Sequence, residues 1–313
     1  MKLEDIGFYT LSDERAATAS EHTPLSRCEL LLTARCNFNC PYCRHVGGRD
    51  LPLEQAIAWL DCWANEGCKA IRLSGGEPTL HPHILDLVWY ARERGIKRIA
   101  LSTNGSASWE LYSKLLSAGV NDFSVSLDVC CAEDADKLGM RGTFASVVEN
   151  IKALAQHTYT TVGVVLTELN VARVNEVVAF ASSLGVADIR VIPAAQDGEK
   201  LKGLQVEEGL LKKHPILAYR VRNLQEGRAV RGLSTEPRTC GLVLDDVAAC
   251  GTEHFPCIIY MREGGKAIGK LGGSLRADRA EWFKQHKATE DPICSKNCLD
   301  VCIDYNRKFE ARS

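Results

Sequence analysis

The sequence predicts an α/β chain built on a parallel sheet, followed by a small cysteine-supported unit. Three observations carry this reading. Between residues 28 and 193, short apolar runs alternate with stretches of helical periodicity. Glycines fall where those helices must stop, at Gly67, Gly95, Gly119 and Gly185. After Pro193 the alternation breaks, and from Cys240 onward come short strand-like runs, glycine turns and cysteines.

Residues 1–27 read as a polar N-terminal arm, and Cys28–Thr33 (CELLLT) as the first buried strand. Leu53–Asn65 is a helix, Ala70–Leu73 a strand, Pro82–Arg94 a helix, and Lys97–Ser102 a strand. Ser108–Ala118 is then a helix, Asp122–Leu127 a strand, Thr143–Gln156 a helix, and Thr160–Leu166 a strand. Val174–Leu184 and Asp188–Ile192 add a last helix and strand. Each crossover is long enough for a right-handed βαβ unit. The sheet is either open and doubly wound or curled into a partial barrel, and periodicity does not choose between them. Residues 28–193 form this unit. Residues 194–239 are a polar, charge-rich linker with a helix around Leu210–Gln225, and 240–313 form the small C-terminal unit.

Bulk properties narrow the classes. With 313 residues, 45% hydrophobic and 25% charged, the composition is that of an ordinary globular chain. A formal net charge of −2 gives no reason to expect a nucleic-acid partner. No apolar run approaches the roughly 18–20 residues of a membrane span. The N-terminus shows neither a signal-peptide core nor an Arg-rich transit pattern. The expectation is a cytoplasmic protein with no membrane partner. The 14 cysteines are too many for such a chain, and they cluster: three within Cys36–Cys43, six between Cys240 and Cys302. Clustering favours metal ligation over scattered core thiols, and a secreted disulfide framework usually belongs to a smaller chain.

Cys36-Asn-Phe-Asn-Cys40-Pro-Tyr-Cys43 directly follows the first strand, where parallel α/β folds carry their chemistry. Three thiolates at this spacing hold three corners of a cubane cluster. No fourth local ligand exists, because Arg44 follows and the next thiol is Cys62. A structural zinc site closes itself with four ligands, whereas three leave one iron open. Packed or zinc-bound cysteines are the alternative.

C-x3-C-x-Y-C after the first strand resembles the radical SAM superfamily, and further motifs follow in its order. Ser74-Gly-Gly-Glu-Pro78 ends the second strand, Ser102-Thr-Asn-Gly105 the third and Ser126-Leu-Asp128 the fourth, and Arg141-Gly-Thr-Phe144 opens the next helix. The resemblance covers about residues 28–193. It implies a partial (β/α)6 barrel with a [4Fe–4S] cluster on Cys36, Cys40 and Cys43, whose open iron chelates S-adenosylmethionine. One electron from a flavodoxin- or ferredoxin-like reductant then yields methionine and a 5′-deoxyadenosyl radical. Residue types suit the implied roles. Gly75 and Gly76 let the backbone approach the methionine moiety, and Glu77 accepts its ammonium protons. Tyr42 faces adenine, Ser126 and Asp128 bind the ribose hydroxyls, and Asn104 is a second polar contact. A plain strand-to-helix turn is the alternative for Ser102–Gly105.

The C-terminal set is Cys240, Cys250, Cys257, Cys294, Cys298 and Cys302. Cys240-x10-Gly251-x5-Cys257 looks like the opening hairpin of the auxiliary-cluster extensions called SPASM and Twitch, although the C-x3-C-x3-C tail departs from the full SPASM pattern. Six thiols do not fully ligate two four-iron clusters, so one auxiliary [4Fe–4S] cluster is expected. Its ligands are Cys240, Cys257, Cys294 and Cys298, with Cys302 the rival for the last place. A four-cysteine zinc site is the alternative. Cys250, between two ligands, is expected near both the auxiliary cluster and the barrel mouth, as a thiol that returns hydrogen to a substrate radical.

Other residues receive plainer readings. His81 and His83 are cap or surface groups, Cys62 and Cys68 pack as small apolar groups, and the basic residues Lys200 to Arg231 form a solvated face. Arg190 alternates with apolar neighbours and points into the barrel, toward a carboxylate or phosphate or into a buried ion pair. The expected substrate is a small polar molecule such as a sugar, aminocyclitol or nucleotide, ending in epimerisation or dehydrogenation. About 27 residues before the first strand are too few for the leader-recognition domain of many peptide-modifying relatives. The end Phe309-Glu-Ala-Arg-Ser313 lacks the terminal Gly-Gly of relatives in molybdenum-cofactor synthesis, which speaks against that role. Two alternatives stay open: a peptide-modifying enzyme, and a non-catalytic iron–sulfur redox or binding protein.

Overall fold

The computed structural model describes residues 2–8, 11–44, 47–140, 142–194, 204–228, 230–233 and 235–312. A short helix, α1 (Asp13–Thr18), comes first, with Ser12 capping it by accepting the Arg15 N–H. Strands and helices then alternate as expected: β1 (Arg27–Thr33), α2 (Leu53–Asn65), β2 (Ala70–Gly75), α3 (Ile84–Glu93), β3 (Arg98–Thr103), α4 (Trp109–Ala118) and β4 (Asp122–Ser126). An additional short helix, α5 (Ala132–Lys137), precedes α6 (Phe144–His157), β5 (Tyr159–Leu166), α7 (Val174–Ser183) and β6 (Asp188–Pro193). Two helices, α8 (Glu208–Lys213) and α9 (Pro215–Gln225), lead onward to β7 (Asp246–Cys250), β8 (Glu253–Phe255), α10 (Ile258–Arg262) and β9 (Gly269–Lys270). Three helices close the chain: α11 (Leu275–Gln285), α12 (Cys294–Asn297) and α13 (Asp300–Glu310).

One nine-stranded sheet runs in the order β6-β5-β4-β3-β2-β1-β7-β8-β9. Strands β1 to β6 are parallel neighbours in sequence order. That order decides what periodicity left open. Successive right-handed crossovers all step the same way, so the helices share one face and the sheet curls into a partial (β/α)6 barrel. A doubly wound sheet reverses direction at a switch point, and none exists between β1 and β6. The helical face buries Trp59, Trp63, Leu87, Tyr112, Leu115, Ile151 and Leu154 against the outward side chains of the strands. Removing this apolar surface from water is the main stabilising term.

The flanking segments are built into this frame. Strand β7 joins β1 in parallel, and β8 and β9 continue the sheet antiparallel. The N-terminal arm contributes Leu3, Ile6 and Leu11 to a second core with Ile216, Tyr219, Val243, Tyr305 and Phe309. Ion pairs Arg15–Asp245 and Lys308–Asp13 fasten it. The solvated-face reading of the basic stretch needs correction. Arg220 on α9 is fully buried in a pair with Asp300, and Arg228 pairs with Asp304, because α9 is held between β6 and the C-terminal helix. Lys200 and Arg141 lie outside the described residues. No helix among the described residues is long and apolar enough to cross a membrane.

Candidate active site

At the C-terminal ends of the strands, a cavity of about 330 Å³ gathers most of the residues singled out above. Cys36, Cys40, Tyr42, Cys43, Gly75, Gly76, Asn104, Ser126 and Asp128 all line it. No fourth thiol does. The donor set therefore fits a cluster held at three corners, with space beside the open one. Burial pushes the Cys40 thiol up to about 11 and raises Cys43, so both gain from a cation that stabilises the thiolate. Asn104 Nδ2 lies 3.8 Å from Cys36 Sγ and donates to Asn37 Oδ1 at 2.8 Å, bracing the cysteine loop against β3.

Glu77 braces the ends of two strands. It is fully buried and does not line the cavity. Its Oε1 accepts from Thr79 N (3.1 Å), Thr79 Oγ1 (2.7 Å) and Thr103 Oγ1 (2.7 Å), and its Oε2 from Asn104 N (2.6 Å). The carboxylate therefore ties the β2 end to the β3 end. Glu77→Ala leaves buried donors without an acceptor, and is expected to cost on the order of 3 kcal/mol in denaturant unfolding.

Packing alone already requires glycine at two positions here. A Cβ on Gly75 would lie 2.4 Å from Thr33 O, and one on Gly76 2.2 Å from Arg35 O. Close approach is to the root of the cysteine loop, which Gly76 N and Glu77 N also grip through Thr33 O and Arg35 O, each at 2.7 Å. Gly76→Ala is expected to lower iron incorporation at the three-cysteine site, read as iron per chain after anaerobic reconstitution.

Asp128 is buried, and desolvation pushes its carboxyl up to about 6. Its oxygens accept from the Tyr42 hydroxyl and from Val165 N at 2.5 Å. Asp128 thus holds Tyr42 in place, while Ser126 is exposed. His81 is a buried structural group whose Nε2 meets Leu51 O at 2.9 Å. Cys68 is buried beside Cys28, Sγ to Sγ 3.5 Å, as a packed thiol.

A second cavity, about 230 Å³, occupies the barrel interior. Glu29 and Ser102 line both cavities, so the two adjoin. Five arginines face the inner one, Arg27, Arg72, Arg98, Arg190 and Arg220, against the carboxylates of Glu29, Asp122 and Asp246. Asp246 pairs with Arg27, Asp122 with Arg98, and Glu29 accepts from Ser74. Arg72 and Arg190 reach only hydroxyls among the described residues: Ser102 at 2.8 Å for Arg72, Thr161 at 3.1 Å and Ser124 for Arg190. Burial, and then the Arg72 charge, pulls the Arg190 guanidinium down to about 10, and its buried Nε has no hydrogen-bond partner.

Cys257 and Cys302 line this interior cavity. Burial raises the Cys240, Cys257, Cys294, Cys298 and Cys302 thiols, and neighbouring thiols add to the rise in the last four. For Cys298 the other four thiols all add to the rise that burial begins. The donor set fits a centre with four thiolates. Cys250 is placed differently from its expectation. At the end of β7 it sits beside Leu31 and Thr33 in a separate cavity, and it lines neither of the two just described. Its position in the parallel β1–β7 ladder, opposite Leu31, fixes it there.

Arg262 escaped sequence reading. From α10 it reaches the mouth cavity, donating from Nη2 to Gly75 O at 3.2 Å. No spacing rule marks it, because the contact joins residues 187 apart in sequence.

Residues 30–181 match the Radical SAM superfamily. A GTP 3′,8-cyclase of Pseudomonas fluorescens (strain Pf0-1) is 33% identical over 204 residues, 59% of this chain and 61% of that protein. The AdoMet-dependent heme synthase of Methanosarcina barkeri is 32% identical over 168 residues, 51% of this chain and 48% of its own. The chain thus spans about half to three fifths of the length of these curated relatives. Among solved structures, anSMEcpe with bound AdoMet and Cp18Cys peptide superposes with a TM-score of 0.59 at 17% identity, covering 92% of this chain and 96% of that one. SuiB of Streptococcus suis gives 0.59 at 15% identity, covering 87% and 67%; at such identities the likeness concerns the fold. With three cysteines, two loop-packing glycines and the serine of the fourth strand gathered at the mouth of a partial barrel, the chain carries a radical SAM domain over residues 30–181.

Proposed function

We propose that the chain is an enzyme acting on a small, polar, anionic molecule held in the barrel interior between two iron–sulfur sites. The observation that carries this is the pair Arg72 and Arg190, half-buried and lining the interior cavity without a carboxylate partner among the described residues, with the Arg190 Nε buried and unpartnered. An unpaired buried guanidinium is costly, and an anionic ligand offsets that cost. Cys36, Cys40 and Cys43 would hold a [4Fe–4S] cluster which, with S-adenosylmethionine and an external one-electron reductant, would supply the radical chemistry of hydrogen-atom removal. Around it, Gly75 and Gly76 hold the cysteine loop in register, Tyr42 and Ser126 border the cofactor space, and the strands exclude water. The GTP 3′,8-cyclases are similar proteins whose name specifies a nucleotide substrate, which agrees with a small anionic ligand.

The auxiliary [4Fe–4S] cluster is assigned to Cys240, Cys257, Cys294 and Cys298; Cys240 and Cys298 pack at the edge of the second core, and Cys257 lines the interior cavity. Of the two endings for a substrate radical, dehydrogenation, in which the radical would pass its electron to the auxiliary cluster and its proton to solvent, is favoured over epimerisation. The Cys250 thiol lines neither cavity, whereas Cys257 faces the interior one.

Binding to the anaerobically reconstituted enzyme tests the reading. Inorganic triphosphate, a nucleoside triphosphate and an uncharged peptide serve as probes at constant ionic strength. At least one anionic probe is expected to bind, and Arg190→Gln and Arg72→Gln each to weaken it tenfold or more, about 1.4 kcal/mol. Anion affinity unchanged by both substitutions, or binding of the peptide alone, removes the anionic-substrate assignment.

A further inference from the structure

The C-terminal cysteine group has a neighbour that sequence spacing did not mark. His286 follows α11, and its Nε2 lies 3.5 Å from Cys294 Sγ. The ring is held from two sides. It stacks on Trp282 at 3.7 Å between centroids and 17° between planes, and it meets the Tyr260 edge at 6.2 Å and 87°. The sulfur is held as firmly. Asp291 Oδ1 accepts from Ile293 N and Cys294 N, both at 2.8 Å, and Asp291 Oδ2 accepts from the Tyr260 hydroxyl at 3.2 Å.

His286, Asp291 and Cys294 lie close enough together to hold a metal ion of their own. The hydrogen bonds argue against that use. Both Asp291 oxygens already accept from protein donors, which fix the carboxylate on the Cys294 backbone and Tyr260. A thiolate in a cluster has no proton to give, so only the imidazole can donate across the 3.5 Å contact, and Nε2 must carry the hydrogen.

We infer that His286 is a positioning residue of the auxiliary centre: its Nε2–H donates to the Cys294 sulfur and raises the reduction potential of the cluster. This rests on the assignment of Cys294 as a cluster ligand. Reduction adds negative charge that spreads onto the ligating sulfurs. A donor aimed at one of them stabilises the reduced form more than the oxidised form. Stacking on Trp282 keeps the donor aligned in both states, so the bond is not traded for one to water.

The test uses the full chain, reconstituted anaerobically with iron and sulfide and titrated electrochemically with EPR detection in the presence of S-adenosylmethionine. The cofactor perturbs only the cluster with an open iron, so the two centres are told apart. His286→Phe keeps a ring on Trp282 and removes the donor; His286→Gln returns an N–H. Wild type is expected to hold about eight irons. His286→Phe should keep them while the auxiliary midpoint falls by about 59 mV or more, a tenfold change in the oxidised-to-reduced ratio at fixed potential. His286→Gln should recover part of that fall, and the other cluster should not move. An unchanged midpoint in His286→Phe overturns the inference. So does loss of about four irons in His286→Phe, which makes the histidine a ligand or scaffold rather than a donor. A wild-type chain with only about four irons instead sinks the auxiliary-cluster assignment on which the inference rests.

Discussion

Chains in which Cys36, Cys40 and Cys43 are all replaced by Ala are expected to lose S-adenosylmethionine cleavage completely while retaining about four irons at the C-terminal set. The effect is total because these are the only thiols lining the mouth cavity, so nothing there replaces a lost corner. Retention follows from the geometry. Of the second group, Cys257 and Cys302 line the interior cavity and none lines the mouth cavity. The fold should survive, since the cysteine loop is anchored through backbone bonds from Gly76 and Glu77 to Thr33 and Arg35. Iron and sulfide per chain, with 5′-deoxyadenosine measured by chromatography, check both halves. Loss of all iron in the triple variant contradicts two independent sites.

The second large effect concerns Cys240 and Cys294. Either one replaced by Ala is expected to remove about four irons and to destabilise the chain by several kcal/mol, because metal binding there is coupled to folding. The second core is modest, and Cys240 and Cys298 pack at its edge, so loss of the centre leaves polar and thiol surface with little to bury it. Cys250→Ala is the internal control: it should keep full iron and a normal unfolding midpoint. The thiol pKa values are raised, by burial first, and ligation requires the thiolate. Loading of this site should therefore improve as pH rises. Full iron and unchanged stability in Cys294→Ala would remove that residue from the ligand set.

The barrel was legible because its signal is local and repeated. Helix α2 begins and ends at Leu53 and Asn65 as its periodicity predicts, and the other boundaries shift by only a few residues. Helices α1 and α5 escaped notice because six residues span less than two turns and give no stripe to read. Barrel over doubly wound sheet was a matter of strand order, which periodicity does not encode. In the site, residue type indicated where Cys36, Cys40, Cys43, Asn104 and Ser126 would meet. It did not indicate direction. Glu77 has the chemistry to hold an ammonium group, yet Thr103 and Asn104 from the next strand claim its oxygens. Arg190 showed only the alternation that turns it inward. That it finds hydroxyls there depends on what β4 and β5 place opposite it, namely Ser124 and Thr161. Arg262 and His286 are tertiary contacts of the C-terminal unit, where short elements and low periodicity carry little pattern.

Radical chemistry at the mouth cavity is tested most directly by incubating the reconstituted, dithionite-reduced chain with S-adenosylmethionine and quantifying 5′-deoxyadenosine and methionine. Formation of both in equal amounts, well above a no-protein control and abolished in the triple cysteine variant, is the expected result. No 5′-deoxyadenosine above background from protein carrying its full iron would contradict the enzymatic reading and leave an iron–sulfur protein of another class.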